Sequence, residues 1–428
     1  MDVASLIADA LGADDLPVAV TAYDGSRAGP ADAPATMVIH SKTALARIAR
    51  APGELGFARA YVAGELDIEG DLFAAMHGLF DRVTNGIPHS AALRFVKGVG
   101  LTALKPVPPP PEESRPHGRR HGRARDAEAI SHHYDVGNAF YEVILGPAMI
   151  YSCAVWETPD VGLEAAQAAK CELVCRKLAL RPGMRLLDIG CGWGSLVRHA
   201  ARHYGVQAVG ITISAEQAAW ARDRVMADGL GDMIEIRLQD YRDVSDGPYD
   251  AISSIGMFEH VGIEGLAPYV QICHDLVRPG GRVLNHGITR PEPSQPISPR
   301  SFVGRYVFPD SALPELGNLI SLSHKAGLEI RHSEALREHY GLTLRAWVAN
   351  LERNWDACVA MVGVGRARVW RLYMAASAVN FERGLIGIHQ VLGVRREDDQ
   401  RLPLRADWER VPLSRPGEAP RESGRQAE

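Results

Sequence analysis

The chain has 428 residues, 46% of them apolar and 23% charged, and a formal net charge of -5. That length leaves room for two or three domains with a large buried core, and the acidic balance argues against general nucleic-acid binding. No run of about 18 apolar residues occurs, so no segment is expected to span a membrane. Met1-Asp2-Val3-Ala4 lacks the charged-then-apolar pattern of a secretion signal. The six cysteines (153, 171, 175, 191, 273 and 358) have no partners at zinc spacing. They read as reduced, buried thiols of a cytoplasmic protein.

Residues 1–104 read as a small α+β domain. Strands are predicted over 18–23 and 36–40, and Ser41 is placed to cap a helix running to residue 49. Helical apolar spacing recurs over 57–62 and 72–80. No catalytic constellation falls here, so a lipid-binding or scaffolding role is assigned. Residues 105–126 form a linker, stiffened by Pro108 to Pro111. Arg115, Arg119, Arg120, Arg123 and Arg125 then cluster with His117 and His121. This is either a solvated tether or a patch for anionic phospholipid headgroups, where each basic residue contributes about 1 kcal/mol.

The aromatic and polar residues between 127 and 180 suggest a lid over a pocket. His132 and His133 could ligate a metal, but no further His, Asp or Glu completes a site, and none is expected. From 183 to 290 strands and helices alternate. Strands are predicted over 185–189, 206–211, 234–238, 249–255 and 281–286, with helices over 196–204, 215–228 (capped by Ser214) and 265–277. Such alternation implies a parallel sheet with right-handed crossovers. Its ligand belongs beyond the carboxyl ends of the strands, and Asp188 to Gly194, Thr212 to Gln217, Asp240-Tyr241, Glu259-His260 and His286 all fall there. In Asp188-Ile189-Gly190-Cys191-Gly192-Trp193-Gly194 the glycines allow a sharp turn into a helix whose free N–H groups face a ligand. The spacing is neither that of a dinucleotide turn nor that of a phosphate loop. Long helices are predicted over 342–362 and 367–392, and residues 399–428 form a disordered tail.

These residues carry a resemblance. His133-Tyr134-Asp135-Val136-Gly137-Asn138, Tyr151-Ser152-Cys153, Leu187 to Gly194, Gly210 to Gln217, Met257-Phe258-Glu259-His260-Val261-Gly262 and Arg305-Tyr306-Val307-Phe308-Pro309 together resemble the cyclopropane-fatty-acyl-phospholipid synthase family. That family includes mycolic-acid cyclopropane synthases and related lipid C-methyltransferases. The resemblance runs from about residue 132 to 392, and residues 1–104 resemble the N-terminal domain of its longer members. It implies an α/β, Rossmann-like class I methyltransferase domain over 127–398, built on a mainly parallel seven-stranded sheet with helical additions.

The resemblance also implies S-adenosylmethionine (SAM) as methyl donor and a cis double bond of an unsaturated phospholipid acyl chain as acceptor. Methyl transfer to an alkene leaves a carbocation, and loss of a proton gives a cyclopropane or a methylene branch. A separate reductase could convert the branch to a methyl group. By resemblance, Tyr151, Ser152, Asp188, Gly190, Cys191, Gly192 and Gly194 hold the methionine end of the donor. Thr212, Ser214 and Gln217 lie near its ribose, and Asp240 and Tyr241 near its adenine. The family's proton acceptor is bicarbonate, whose cage maps onto Cys153, Glu259, His286, the backbone at Ile288, and Tyr340. Trp156, Phe258, Tyr306 and Phe308 could stabilise a cation through their ring faces. A cytoplasmic homodimer, peripheral to the inner leaflet and without nucleic-acid partners, is the expected setting.

Gly137-Asn138-Ala139, Gly146-Pro147, Arg242 and Ser377 depart from the family pattern. Relatives often carry Cys where Ser377 stands. The chemistry needs no covalent enzyme adduct, so Ser377 is expected to be tolerated. Two other readings compete with lipid methylation: a methyltransferase of a soluble small molecule, and a non-catalytic lipid-binding protein that keeps the fold.

Overall fold

Asp2 starts the first helix by accepting a hydrogen bond from the backbone N–H of Ser5 at 2.8 Å, which caps α1 (Val3–Ala10). The computed structural model describes residues 1–12, 16–84, 89–100, 106–114, 136–291, 295–298, 301–308 and 311–398, with Leu402 and Trp408. The residues from His132 to Asp135, the basic cluster from Arg115 to Arg125, Pro309 and the rest of the tail lie outside them.

After α1 come β1 (Ala19–Ala22), β2 (Arg27–Ala28), β3 (Ala35–Ile39), α2 (Lys42–Arg50), α3 (Glu54–Val62), β4 (Leu66–Gly70), α4 (Leu72–Thr84) and α5 (His89–Val99). The four strands form one sheet in the order β2-β1-β3-β4, with β1 and β3 parallel. Ser41 precedes α2 as expected, but its side chain makes no capping hydrogen bond.

The chain continues with α6 (Asn138–Leu145), α7 (Leu163–Lys177), β5 (Arg185–Ile189), α8 (Ser195–Tyr204), β6 (Gln207–Thr212), α9 (Ala215–Ala227), β7 (Ile234–Leu238), β8 (Tyr249–Ile255), α10 (Phe258–Leu276) and β9 (Val277–Thr289). Then follow β10 (Gln295–Pro296), α11 (Phe302–Tyr306), β11 (Ala312–Leu313), α12 (Leu316–Lys325), β12 (Leu328–Ala335), α13 (Arg337–Arg353), α14 (Trp355–Val362), α15 (Val364–Glu382) and β13 (Gly387–Arg395). Seven strands make the large sheet, in the order β12-β13-β9-β8-β5-β6-β7. β13 runs antiparallel to both its neighbours, and the pairs from β9 to β7 are parallel. This is the Rossmann-like α/β fold that the resemblance implies. β5 lies near the middle, and Leu186, Leu187 and Ile189 are fully buried, as a strand covered on both faces requires.

Two compact units emerge. One gathers Met1–Pro116, Ile297–Pro309 and Leu351–Val379; the other gathers His117–Pro296, Asp310–Asn350 and Asn380–Glu428. In the first unit, Leu372 of α15 packs on the core that holds Ile7, Val20, Ile39, Ile48 and Phe95. Arg368 pairs with Asp67 at 2.5 Å and donates to the backbone carbonyl of Tyr61 at 3.1 Å. Arg371 donates to the Tyr61 hydroxyl at 2.8 Å. Residues 106–114, expected to lie in a tether, are docked here. Arg59 holds the Glu113 carboxylate through bonds of 2.8 and 2.7 Å, and Arg47 donates to the Pro108 carbonyl at 2.7 Å.

Three further expectations change. The stretch read as one helix over 367–392 is helix only to Glu382. Gly384 then takes a φ of +72°, and Gly387–Arg395 becomes β13. The helix expected over 342–362 breaks at Asn354, whose φ of -114° and ψ of 29° are not helical. The helix expected over 265–277 begins earlier, at Phe258, and is kinked where Gly262 adopts a φ of 73°.

Leu187 anchors the second unit's core with no exposed surface. Leu187→Ala is expected to cost about 2–5 kcal/mol, read as a lower denaturation midpoint with an unchanged slope. An unaffected midpoint would contradict the central place given to β5.

Candidate active site

The second unit's site starts at the end of β5. Asp188 is 3% exposed and accepts a hydrogen bond from the Ser253 hydroxyl at 2.7 Å. Burial pushes its carboxyl up to about 6, against the opposing pull of Ser253 and Lys170. The chain then turns. Gly190 has a φ of +77°, and a Cβ there would meet the Met257 sulfur at 3.4 Å. Gly194 has a φ of +80°, and its Cβ would lie 3.2 Å from that of Ala221. Only glycine takes this backbone without strain, and α8 begins directly after it.

The turn borders a cavity of about 1070 Å³, and every residue lining it belongs to this unit. Of the residues expected to hold a donor, Tyr151, Ser152, Asp188, Gly190, Cys191, Gly192, Thr212, Gln217, Asp240 and Tyr241 line it. Gly194 and Ser214 do not. Gly194 caps α8, and the Ser214 hydroxyl accepts from the Gln217 backbone N–H at 3.3 Å to cap α9. Thr212 donates to the Gln217 side-chain carbonyl at 2.8 Å, which fixes both. Arg242 grips both oxygens of Asp240 at 2.8 and 2.5 Å. His260 also lines the cavity, and burial pushes its imidazole down to about 4.

A second group lies buried, tied together by backbone and side-chain bonds. The Leu336 carbonyl accepts from the Cys153 thiol at 3.7 Å and from the Tyr340 backbone N–H at 3.1 Å. The Leu336 N–H donates to Ile388, which lies across from Ile288 in the sheet. The Ile288 N–H in turn donates to Glu259 Oε1 at 2.7 Å, so that backbone donor is already engaged. His286 stands two residues earlier on β9, and its carbonyl accepts from the Gly256 N–H at 2.8 Å, beside the cavity wall at Ile255, Gly256 and Met257. These bonds thus tie together the segments that carry Cys153, Tyr340, Ile288 and Glu259, with His286 two residues before Ile288, and none of the five residues lines the cavity.

Two of these buried residues carry a polar atom with no hydrogen-bond partner among the described residues, Glu259 Oε2 and His286 Nε2. Such orphans are rare in folded proteins and need an explanation. Burial pushes the Glu259 carboxyl up to about 7 against the pull of the Ile288 N–H. Burial, then Lys170, Lys177 and His389, drives His286 well below the usual imidazole range. Burial raises the Cys153 thiol against the pull of Lys170. The group therefore holds a neutral imidazole, a thiol and a carboxyl that titrates near neutrality.

Lys170 was not foreseen as a site residue. It is 3% exposed, lines the cavity, and has no hydrogen bond or ion pair among the described residues. The signal was its place on α7, whose 163–177 stretch carries Gln167, Lys170 and Lys177 among apolar neighbours; all three are buried. Trp156 is held by the Thr343 hydroxyl, 3.0 Å from its indole nitrogen, and Phe258 packs where a Cβ on Gly287 would come within 2.3 Å of its ring. Tyr306 and Phe308 fall in the first unit, Tyr306 bonded to Glu113 at 3.3 Å and Phe308 set edge-on to Tyr373. Among the described residues no group of three or more His, Cys, Asp or Glu could hold a metal.

The model of the mycolic acid cyclopropane synthetase family matches residues 121–391. A probable fatty acid methyltransferase of Mycobacterium tuberculosis is 45% identical over 92% of this chain and 95% of its own length. The cyclopropane-fatty-acyl-phospholipid synthase of Escherichia coli is 38% identical over 61% of this chain and 66% of its own. Among solved structures, the mycolic acid cyclopropane synthase CmaA1 complexed with SAH and CTAB aligns with a TM-score of 0.59 at 30% identity, covering 63% of this chain and 98% of that one.

The raised carboxyls have a consequence for stability. Glu259 and Asp188 hold their protons more tightly in the fold than in the unfolded chain, so their stabilisation is full at acid pH and is lost as pH rises towards about 6 to 7. Glu259→Gln keeps the oxygen that accepts from Ile288 and removes its share of that slope. It should match the parent near about pH 4 and exceed it by about 3 kcal/mol near about pH 8, in urea unfolding. Parallel curves for the two proteins would show that Glu259 is not desolvated.

Proposed function

The chain belongs to the mycolic acid cyclopropane synthetase family and is a SAM-dependent methyltransferase of the kind that acts on fatty acyl chains. On that premise we propose that it methylates the cis double bond of an unsaturated phospholipid acyl chain and releases a cyclopropane or methylene-branched product. The observation that carries this reading is the pair of buried polar atoms without a hydrogen-bond partner among the described residues, Glu259 Oε2 and His286 Nε2.

The steps follow from the donor's chemistry and the surroundings. The alkene π pair forms a new C–C bond to the sulfonium methyl while the S–C bond breaks, and the acyl chain becomes a carbocation. Water would trap that cation, so the site must be dry. Cys153 and His286 have no exposed surface, and Glu259 and Tyr340 are 6% and 8% exposed. The cation then loses one proton from the new methyl: directly, to close a three-membered ring, or after a 1,2-hydride shift has moved the cation to the methyl-bearing carbon, to leave a methylene.

A buried proton acceptor is needed, and none of the protein groups present is well placed to serve alone. The Cys153 thiol is held protonated, and the Glu259 carboxylate is tied to Ile288. Bicarbonate, when bound, supplies a small base. The residues fit it: Glu259 Oε2 can accept its hydroxyl proton, and His286 Nε2 and the Tyr340 hydroxyl can donate to its oxygens. Lys170 adds positive charge in a site of low polarity. In this reading the protein works at the inner face of a membrane without crossing it. Among the described residues no helix is long and apolar enough to span a bilayer.

Label from methyl-labelled SAM is expected in the acyl fraction of an unsaturated phospholipid after incubation with the protein. Glu259→Gln should lower kcat by about 10²-fold or more while SAH affinity stays unchanged in calorimetry. Absence of acyl label, or label only in soluble small molecules, would remove the proposal.

A further inference from the structure

Three strands place a row of polar side chains across the sheet. Glu334 on β12 lies directly opposite Gln390 on β13, and Gln390 lies directly opposite His286 on β9. Residues opposite one another in antiparallel strands share a face of the sheet, so the three side chains form a ladder. Lys177, the last residue of α7, stands against it. Its ammonium is hydrogen-bonded to the Glu334 carboxylate and donates to Gln390 Oε1 at 2.8 Å. Gln390 Nε2 lies 3.3 Å from His286 Nδ1. Lys177, Gln390 and His286 have no exposed surface, while the Glu334 side chain is 31% exposed.

The chemistry of the ladder leaves one arrangement of protons. An ammonium can only donate, so the Gln390 atom facing Lys177 must be the carbonyl oxygen. The other end of the amide is then an NH₂ group, which can only donate, and it faces His286 Nδ1. Nδ1 must accept, and in a neutral imidazole the proton then sits on Nε2. Nε2 is the buried imidazole nitrogen that has no partner among the described residues.

We infer that Gln390, oriented by Lys177, is a positioning residue that locks His286 as the Nε2–H tautomer, so that His286 enters the reaction as a hydrogen-bond donor and not as the base. The inference rests on the reading of His286 as a site residue given under Proposed function. It assigns work to two residues that do not line the cavity. It also gives a reason for burying Lys177, whose charge is paired with Glu334 and bonded to Gln390.

The test reads the tautomer itself, in the full chain without lipid, donor or added anion. With ¹⁵N-labelled histidine and the His286 signal assigned by its loss in His286→Gln, the two ring nitrogens are distinguished by shift and by coupling to the ring protons. The native protein is expected to show a pyridine-type Nδ1 and a pyrrole-type Nε2. Gln390→Glu presents an acceptor where the NH₂ stood, and should move the proton to Nδ1. It should also lower kcat on the order of 10-fold to 100-fold with SAH affinity unchanged. A native His286 protonated at Nδ1 overturns the inference and needs no variant to be seen. A tautomer indifferent to Gln390→Glu in a folded protein overturns it equally. Failure of acyl labelling with the Nε2–H tautomer present would instead count against the lipid reaction.

Discussion

Desolvation is the constraint on which the site depends. The second unit buries Asp188, Glu259, His286, Lys170, Lys177 and Gln390 within one fold, and each would be costly there alone. Where the protein supplies partners it does so economically: Ser253 for Asp188, the Ile288 N–H for one oxygen of Glu259, Gln390 for one nitrogen of His286. Where it does not, Glu259 Oε2 and His286 Nε2 are left without a partner among the described residues. The same low polarity that raises the carboxyls and suppresses the imidazole excludes water and strengthens every charge interaction within it. Electrostatics and water exclusion are thus one property of the packing.

Helix α7 is the instrument of this arrangement. It covers the sheet with a face that is apolar at Ala166, Leu173 and Val174 and polar at Gln167, Lys170 and Lys177. Gln167 donates to the carbonyls of Leu145 and Ile150 at 2.9 and 3.3 Å, pinning the segment that leads to Tyr151 and Ser152. Lys170 reaches the cavity, and Lys177 reaches the ladder. One helix therefore sets the backbone of the donor-side segment, the positive charge of the cavity wall and the proton on His286.

Much of this was legible in the sequence, and the boundary of legibility is physical. β5, its glycine turn and α8 are local structures, and Leu186-Leu187-Asp188-Ile189-Gly190 states them in one short run. The Ser214 cap and the strands over 234–238 and 249–255 are equally local. β13 was read as helix because Ile388, Val391 and Leu392 continue a helical apolar spacing; its strand conformation is decided by pairing with β9 and β12, far away in sequence. The docking of residues 106–114 was hidden for the same reason, since Glu113 finds Arg59 only in the fold. Lys170 and Gln390 were silent because a polar residue on a buried face announces a role but not which one. Conversely, Ile288 was named for its backbone, and the structure gives that donor to Glu259.

The first unit is assembled from three stretches of chain, and this has a consequence for anyone who would cut or graft it. Arg368 and Arg371 spend their guanidinium groups on Tyr61 and Asp67, and Leu372 fills a gap in a core made by the amino-terminal residues. Excising the first 116 residues would not release a tidy module. It would strip the cover from two arginines and a leucine on a helix that the remaining polypeptide still has to fold. A chimera would have to exchange both halves of the contact together.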